Sequence, residues 1–284
     1  MCFDELPEFQ NFCPTANNSN ILFHGKVSCP NLKELIIWKL VSISSLFSRQ
    51  LPTAYFSNLQ TLDVKSCGKL RNLMSPLVAR GLLNLQTLKI ENCESMEEVI
   101  TQEEQQREEI MTLFPRLRQL DLTNLPKLGH FFLTECTLEF PFLIEVCISL
   151  CPEMKTFVQQ GVYMGTTSLQ SVNNDDEEKV VDLNKAMFNS KVSCPSLQYL
   201  RIWRLESISA LWSHQLPTPY FSKLQTLIVS DCGKLRNLMS PSVARGALNI
   251  RILHVTDCES MEEVITKEEE QGEGFMIIFP LLEE

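Results

Sequence analysis

The chain has 284 residues, of which 44% are hydrophobic and 21% charged, and 35 acidic against 25 basic side chains give it a net charge of −10. This apolar content lies well above that of disordered chains, so the chain is able to bury a core. A general nucleic-acid binder is excluded, because its surface must be basic to neutralise phosphates. Forty-one leucines against ten glycines also exclude a collagen-like chain.

The chain begins without the basic and apolar segments of a signal peptide, and no apolar stretch approaches the roughly 20 residues that span a bilayer. The cysteines number eleven, and an odd count without a secretory signal indicates free thiols in a reducing compartment. We therefore expect a cytoplasmic protein without a membrane span.

Residues 1–25 are predicted to be a truncated repeat tail and a loop. The stretch LPEFQNF at 6–12 resembles the end of a repeated unit, whose strand we place before Met1. The last residues, FPLLEE at 279–284, match FPRLRQ at 114–119, where another strand begins. Solenoids need polar terminal caps and none is visible, so we expect a fragment of a longer protein or a truncated gene model.

From residue 26 onward a short unit recurs, with the pattern LxxLxIxxCxxLxxL. It is clearest at Leu59, Leu62, Val64, Cys67 and Leu70. The first half alternates apolar and polar residues, which is typical of a strand with one buried face, and the second half turns across the core. One unit cannot bury its apolar edge alone, but stacked units share a continuous core. The leading Leu, or an Ile in its place, falls at positions 32, 59, 85, 117, 143, 169, 197, 224, 250 and 282.

This spacing is the leucine-rich-repeat pattern. It predicts an α/β repeat solenoid, a horseshoe with a parallel β-sheet on the concave face and a mostly irregular or short-helical convex side. We divide it into a first block of about five units at 26–156, a weak repeat or acidic loop at 157–190, and a second block at 191–284. The second block is a duplicate of residues 26–119, truncated at its C-terminal end.

Two local elements are readable within the blocks. Ser75 as N-cap and Pro76 at the first helical position predict a short helix, which recurs from Ser240 and Pro241. The acidic inserts at 97–109 and 262–274 are expected to be solvated loops on the face away from the core.

Motifs that carry chemistry are absent from the sequence. There is no phosphate-binding loop, no GxGxxG, no HExxH and no GxSxG, and the four histidines do not stand at metal-ligand spacing from a cysteine. Five cysteines follow the predicted strands, where we expect their thiols to sit inside the turn. The only glycosylation sequon, Asn17-Asn18-Ser19, is weak evidence on its own. We expect no enzyme, no catalytic or metal-binding residue and no cofactor.

An internal duplication indicates where partners bind. Residues 26–104 and 191–269 align without a gap, with 55 of 79 positions identical. On three strands, the fifteen pairs of positions predicted to face the concave side differ in twelve cases, against twelve of the other 64 positions. Neutral drift of exposed residues is the alternative, but the partly polar stretches GKLRNLMSP and CESMEEVIT are unchanged. The candidate partner-binding residues are Glu34, Ile36, Trp38, Lys39, Asp63, Lys65, Lys89, Glu91, Tyr199, Arg201, Trp203, Arg204, Ile228, Arg251 and His254.

Two of these candidates, Trp38 and Trp203, are identical between the copies. Each is either an interface anchor or a residue that packs against a flanking strand, and the sequence leaves both interpretations open.

The long motif LxVxxCGKLRNLMSPxVARGLxNLxxLxIxxCxSMEEVI, preceded by SCPxLxxL, resembles the repeat region of plant intracellular coiled-coil, nucleotide-binding, leucine-rich-repeat disease-resistance proteins. The resemblance implies a non-enzymatic recognition module that senses a pathogen effector or a guarded host protein. It also implies an autoinhibitory contact with the nucleotide-binding domain in the full-length protein. This sequence departs from the family in lacking the coiled coil and the nucleotide-binding domain, so ATP binding and signalling do not carry over.

Three other interpretations remain. A substrate adaptor of a ubiquitin ligase also uses Cys-containing repeats, but residues 1–25 supply no F-box-like helical segment. An extracellular receptor ectodomain conflicts with the missing signal peptide and the abundant cysteines. The third is a degenerate duplicate without function.

Overall fold

The computed structural model describes residues 1–9, 12, 20–25, 27–48, 53–102, 110–159, 186–213, 216, 218–266 and 278–283. Within them the elements, in chain order, are β1 (Cys2–Asp4), β2 (Ile21–Phe23), β3 (Glu34–Trp38), β4 (Ser45–Phe47), a 3-10 helix (Thr53–Phe56), β5 (Thr61–Lys65), α1 (Pro76–Gly81), β6 (Thr87–Glu91), β7 (Glu98–Ile100), β8 (Ile110–Thr112), β9 (Gln119–Thr123), β10 (His130–Leu133), β11 (Thr137–Glu139), β12 (Glu145–Ser149), β13 (Val158–Gln159), β14 (Ala186–Phe188), β15 (Val192–Ser193), β16 (Tyr199–Trp203), β17 (Ala210–Trp212), a second 3-10 helix (Thr218–Phe221), β18 (Thr226–Ser230), β19 (Asn237–Met239), α2 (Pro241–Gly246), β20 (Ile252–Thr256) and β21 (Glu263–Ile265).

One parallel sheet runs through the whole described chain, in the order β1-β3-β5-β6-β9-β12-β16-β18-β20. Its strands begin two residues after the leading Leu, as β5 does after Leu59. In β5, Leu62 and Val64 are fully buried, whereas the three alternate residues are only half-buried. Because side chains alternate across a strand, the sheet buries one face in the core and leaves the other open. The predicted α/β leucine-rich-repeat solenoid is confirmed.

The residue after each strand of this sheet adopts a left-handed backbone conformation. These residues have φ between 49° and 59° and are Glu5, Lys39, Ser66, Asn92, Asn124, Leu150, Arg204, Asp231 and Asp257. In eight of these residues the backbone N–H donates a hydrogen bond to the carbonyl of the last strand residue in the next repeat. The hydrogen bonding between neighbouring strands therefore extends one residue beyond the strand before the chain turns. The conformation rotates the chain out of the strand, and in seven of the nine turns it places the following Cys or Leu in the core; Leu6 is exposed and Cys258 half-buried.

Asn124 provides a test of this turn, because it has φ 52° and its N–H donates to the Ser149 carbonyl. Asn124→Val should lower the free energy of unfolding by about 1–2 kcal/mol, since a β-branched side chain clashes in the left-handed region. Asn124→Gly adopts that region freely and should cost clearly less. Urea denaturation of both variants measures the difference, and equal stabilities would contradict the explanation.

Away from the main sheet, short strands form further parallel ladders. One consists of β2 and β4, another of β7, β10 and β13, and another of β14, β17, β19 and β21. Single bridges Ser45↔Asn72 and Met74↔Ile100 connect the first two across the repeat that contains α1. A separate three-stranded sheet joins β8, β11 and β15. This side of the solenoid therefore contains more strand than the irregular or short-helical convex side that we predicted.

The two predicted helices are confirmed. The hydroxyl oxygen of Ser75 accepts a hydrogen bond from the Val78 N–H at 3.4 Å, and Pro76 occupies the first helical position. The copy repeats this arrangement, with Ser240 accepting from Val243 at 3.3 Å. Each helix covers the core with a small buried face that includes the Val and the Ala of its VARG sequence.

One expectation about the chain is wrong. The strand that precedes residues 6–12 does not lie before Met1, because β1 pairs in parallel with β3, with Phe3 opposite Ile37. Only three residues form β1, which is too short for the alternating pattern to be recognised in the sequence.

Other expectations fall on residues outside the described ranges. These are most of the segment 157–190, residues 103–109 and 267–274 of the acidic inserts, the sequon at 17–19 and His214. The described beginnings of the two inserts are not solvated loops as expected, because they form β7 and β21, and Val99 and Ile100 are fully buried. The main-sheet strands before and after the segment 157–190 are β12 and β16, and they are hydrogen-bonded neighbours, with Val146 opposite Leu200. They are therefore successive strands of the main sheet.

A search of the described residues finds no helix that is both long enough and apolar enough to cross a membrane.

Candidate recognition surface

The open face of the main sheet carries three columns of side chains, one from each alternate position of its strands. The middle column, which we call the central column, has one member from each strand from β3 to β20. In register, these are Ile36, Asp63, Lys89, Asp121, Cys147, Arg201, Ile228 and His254. None of the eight is buried, so the column is available for contact along its length.

In the first half of the open face, on strands β3 to β9, charged side chains lie beside side chains of the opposite charge. The Lys65 ammonium lies 3.4 Å from the Asp63 carboxylate and 3.5 Å from that of Glu91. Although desolvation acts to lower the pKa of Lys65, these two carboxylates outweigh it and raise the pKa above its ordinary value. Lys89 stands in register between Asp63 and Asp121. This half presents alternating charges that already have counter-charges beside them.

The second half has a different character, because aromatic and cationic side chains gather on β16. The Arg201 guanidinium lies 5.8 Å from the centroid of the Trp203 ring and that of Arg204 lies 5.2 Å from it. Arg204 also forms an ion pair with Asp231 at 2.6 Å. Tyr199 is half-buried on the same strand. Trp, Tyr and Arg are the residues most enriched at the energetic centres of protein interfaces.

None of the fifteen sequence-predicted residues is buried, and all except Arg251, which directly precedes β20, lie on the open face or in the turn that follows it. Lys39 and Arg204 are the two in the left-handed turn. Those on β3, β5 and β6 form one group and those on β16, β18 and β20 another. The structure therefore does not bring the fifteen together in one cluster, because β9 and β12 separate the two groups.

Trp38 and Trp203, for which the sequence left two interpretations open, share one local arrangement. Trp38 is 38% exposed and the ammonium of Lys39 lies 4.4 Å from its ring centroid. Trp203 is half-buried, and the cation of the following residue, Arg204, also lies near its ring.

Sequence comparison missed the middle of the open face. Asp121, Glu145 and Cys147 lie between the two predicted groups, on β9 and β12. They belong to strands outside the two aligned 79-residue segments, so no pair was available to compare. The repeat pattern identifies these residues, because the units that begin at Leu117 and Leu143 have the same internal spacing of apolar residues as the other units.

The cysteines that follow the strands lie inside the turn, as predicted. The thiols donate to the backbone carbonyl two residues earlier at 3.3–3.5 Å, in Cys67, Cys93, Cys151, Cys232 and Cys258. Burial raises the pKa of Cys151 and Cys232 to about 12. Protonated, buried thiols are poor nucleophiles, which fits a structural role.

These thiols predict a loss of stability in alkaline solution. From the ordinary pKa of 9.0 upward, the unfolded chain releases thiol protons that the folded chain retains until about pH 12. The free energy of unfolding should therefore fall above pH 9 by about 1.4 kcal/mol per pH unit for each such thiol. In the double variant Cys151→Ala/Cys232→Ala, denaturant unfolding should show a smaller fall in the free energy of unfolding above pH 9 than in the unsubstituted protein. Cys2→Ala, which removes an exposed thiol, should leave the slope unchanged; equal slopes in all three proteins would refute the assignment.

Metal-binding chemistry finds no support in the part of the chain that is described. No three His, Cys, Asp or Glu side chains come together there as a set of ligands.

Comparison with known proteins gives a consistent picture. The family model described as plant disease resistance protein RPS2-like, leucine-rich repeats, matches residues 32–175, 165–259 and 196–278. The disease resistance protein SUMM2 of Arabidopsis thaliana is 31% identical over 142 residues, which cover 50% of this chain and 15% of that protein. The disease resistance protein UNI from the same plant is 33% identical over 100 residues, which cover 35% of this chain and 11% of that protein.

A third relative, the probable disease resistance protein At1g61310, is 32% identical over 100 residues, which are 35% of this chain and 10% of that protein. The chain thus spans 15% or less of the length of each of these relatives. No solved structure matches the chain.

Proposed function

Because the chain belongs to the RPS2-like leucine-rich-repeat family of plant disease-resistance proteins, we propose that it is a non-enzymatic recognition module whose open face senses a pathogen effector or a guarded host protein. In the full-length protein the same repeats would also contact the nucleotide-binding domain and restrain it. The proposal places the module in the cytoplasm. Named relatives that are disease-resistance proteins support this class of function.

The observation that carries the proposal is the contrast between the two faces of one sheet. The buried ladder hardly differs between the duplicated blocks, for example Leu62 against Leu227 and Val64 against Val229, all fully buried. On the open face, Asp63 of one block stands where the other has Ile228. A conserved core preserves the shape, while a varied surface allows each block to contact a different chemical group.

The test compares two double charge reversals of equal net charge. Arg201→Glu with Arg204→Glu changes the open face, and Lys127→Glu with Lys155→Glu changes exposed residues away from the main sheet. Each chain, fused to a promiscuous biotin ligase, is expressed in leaf tissue with and without pathogen challenge. The labelled proteins are then quantified by mass spectrometry.

We expect the open-face variant to lose a specific subset of labelled proteins that the Lys127/Lys155 variant retains. Thermal unfolding should change little in either, because the Arg204–Asp231 pair is exposed and worth at most about 1 kcal/mol. The same labelled set in both variants would refute the proposal.

A further inference from the structure

Arg201 differs from the other cations of the open face in its neighbours. In the central column it stands between Cys147 and Ile228, neither of which carries a charge at neutral pH. Within the described part of the chain its guanidinium joins no ion pair and donates no hydrogen bond; it lies 5.8 Å from the centroid of the Trp203 ring and close enough to Cys147 and Tyr199 to act on them electrostatically. It is exposed, so its donors face outward.

Other cations on the open face or directly next to it have carboxylates beside them. Lys39 pairs with Glu5, Lys65 with Asp63 and Glu91, Arg204 with Asp231, and Arg251 with Glu283. Lys89 makes no ion pair in the described residues but is flanked in register by two aspartates. Glu145 lies opposite Tyr199, one position away from Arg201, and accepts a weak hydrogen bond from the Cys147 thiol at 3.8 Å.

We propose that the partner presents a carboxylate to the cluster of Tyr199, Arg201, Trp203 and Ile228. The carboxylate belongs to an Asp or Glu side chain next to an apolar residue, and this inference rests on the proposed function. The guanidinium offers a planar fork of donors that matches a carboxylate in two parallel hydrogen bonds. The rings of Trp203 and Tyr199 and the side chain of Ile228 supply an apolar border. This border excludes water and strengthens the ion pair.

The duplication supports this charge assignment. Across the same three strands the first block has Ile36, Asp63 and Lys89, where the second has Arg201, Ile228 and His254. In the first block the carboxylate is part of the chain and stands beside Lys89. In the second block the position beside Arg201 holds Ile228, so the chain itself places no carboxylate there and leaves room for one from a partner. Ile228→Asp restores the first block's residue at that position.

The experiment uses two random peptide libraries on phage, one with a fixed Glu-Leu pair at its centre and one with Gln-Leu. Both are passed over the immobilised full chain. We expect the Glu library to be retained at least about tenfold better, because hydrogen bonds to charged groups discriminate by that factor or more. Arg201→Gln should abolish the preference, and Ile228→Asp should do the same by neutralising Arg201 internally. Arg201→Lys should keep part of it, since an ammonium makes no planar fork.

Lys127→Gln is the matched control, because it removes an exposed cation that lies away from the main sheet; the Glu preference should persist. Circular dichroism melting checks that each variant is folded. Equal retention of both libraries, or a preference that survives Arg201→Gln, overturns the proposal. If both libraries bind equally and Lys89→Glu with Glu91→Lys abolishes this binding, the carboxylate inference fails while the open-face function stands. If binding depends on no open-face residue, both fail.

Discussion

Replacing Phe157 by alanine should lower the free energy of unfolding by about 3–5 kcal/mol, the range for removing a buried aromatic side chain. Phe157 is 1% exposed. Its ring stacks on Phe131 at 4.7 Å between centroids, packs edge-on against Phe140 at 6.0 Å and stacks on Phe188 at 5.6 Å. Its backbone adds hydrogen bonds to Phe131 and Met187 on either side. The residue therefore joins Phe131 and Phe140 of the first block to Phe188, whose ring in turn packs edge-on against Phe221 of the second block, and its loss leaves a cavity within this stack.

Phe142→Ala is the control for this prediction, because it makes the same chemical change at a side chain that is 55% exposed. Its cost should stay within about 0.5 kcal/mol. Chemical denaturation followed by far-ultraviolet circular dichroism measures both. A Phe157→Ala protein as stable as the Phe142→Ala protein would mean that the aromatic stack does not join the two blocks.

The second large effect is expected at Asn189, which is completely buried beside β14. Its amide nitrogen donates to the Val158 carbonyl at 2.9 Å, and its amide oxygen accepts from the Lys191 N–H at 3.0 Å. Asn189→Asp replaces the donor with a second carboxylate oxygen that faces a carbonyl in a fully buried site. We expect a loss of about 3 kcal/mol or more at neutral pH, because a charge is buried with one of its oxygens directed at another acceptor.

The Asn189→Asp defect should depend on pH in a defined direction. A carboxyl buried in this way has a folded-state pKa above its unfolded value near 4, so the folded state favours the protonated form. The deficit should therefore shrink as the pH falls toward 4 and grow as the pH rises above it. Asn84→Asp is the matched control, because Asn84 donates to Ser57 but also accepts from Arg116 at 2.7 Å, which favours a carboxylate. Equal and pH-independent losses in both variants would refute this account of Asn189.

Much of the fold could be predicted from the sequence because the repeat is regular. The alternation Leu62-x-Val64 after Leu59 defines a strand with one buried face, and Ser75-Pro76 defines a helix start. The short ladders on the other side escaped prediction, because strands of three residues such as Glu98–Ile100 are too short to show a period. Their pairing comes from the stacking of neighbouring repeats rather than from local preference.

The candidate surface was predictable in its outline but not in its chemistry. Duplication identified Asp63 and Arg201 as varied positions, yet only register shows that one lies beside Lys89 and the other beside Ile228. The ion pairs Lys65–Glu91 and Arg204–Asp231 depend on distances between neighbouring strands, whose paired residues are 26 and 27 positions apart in the sequence. Sequence spacing alone does not contain these distances.

The central claim is that the open face of the main sheet is where partners bind, while the buried ladder only maintains its shape. The most direct test is a saturation mutational scan of the displayed chain, sorted separately for surface abundance and for binding to the partner recovered by proximity labelling. The account predicts that substitutions which lose binding but keep abundance will concentrate at the alternate residues of β3 to β20, Arg201 and Trp203 among them. If they concentrate instead on α1, α2 or the short outer strands, the recognition surface lies elsewhere and the account is contradicted.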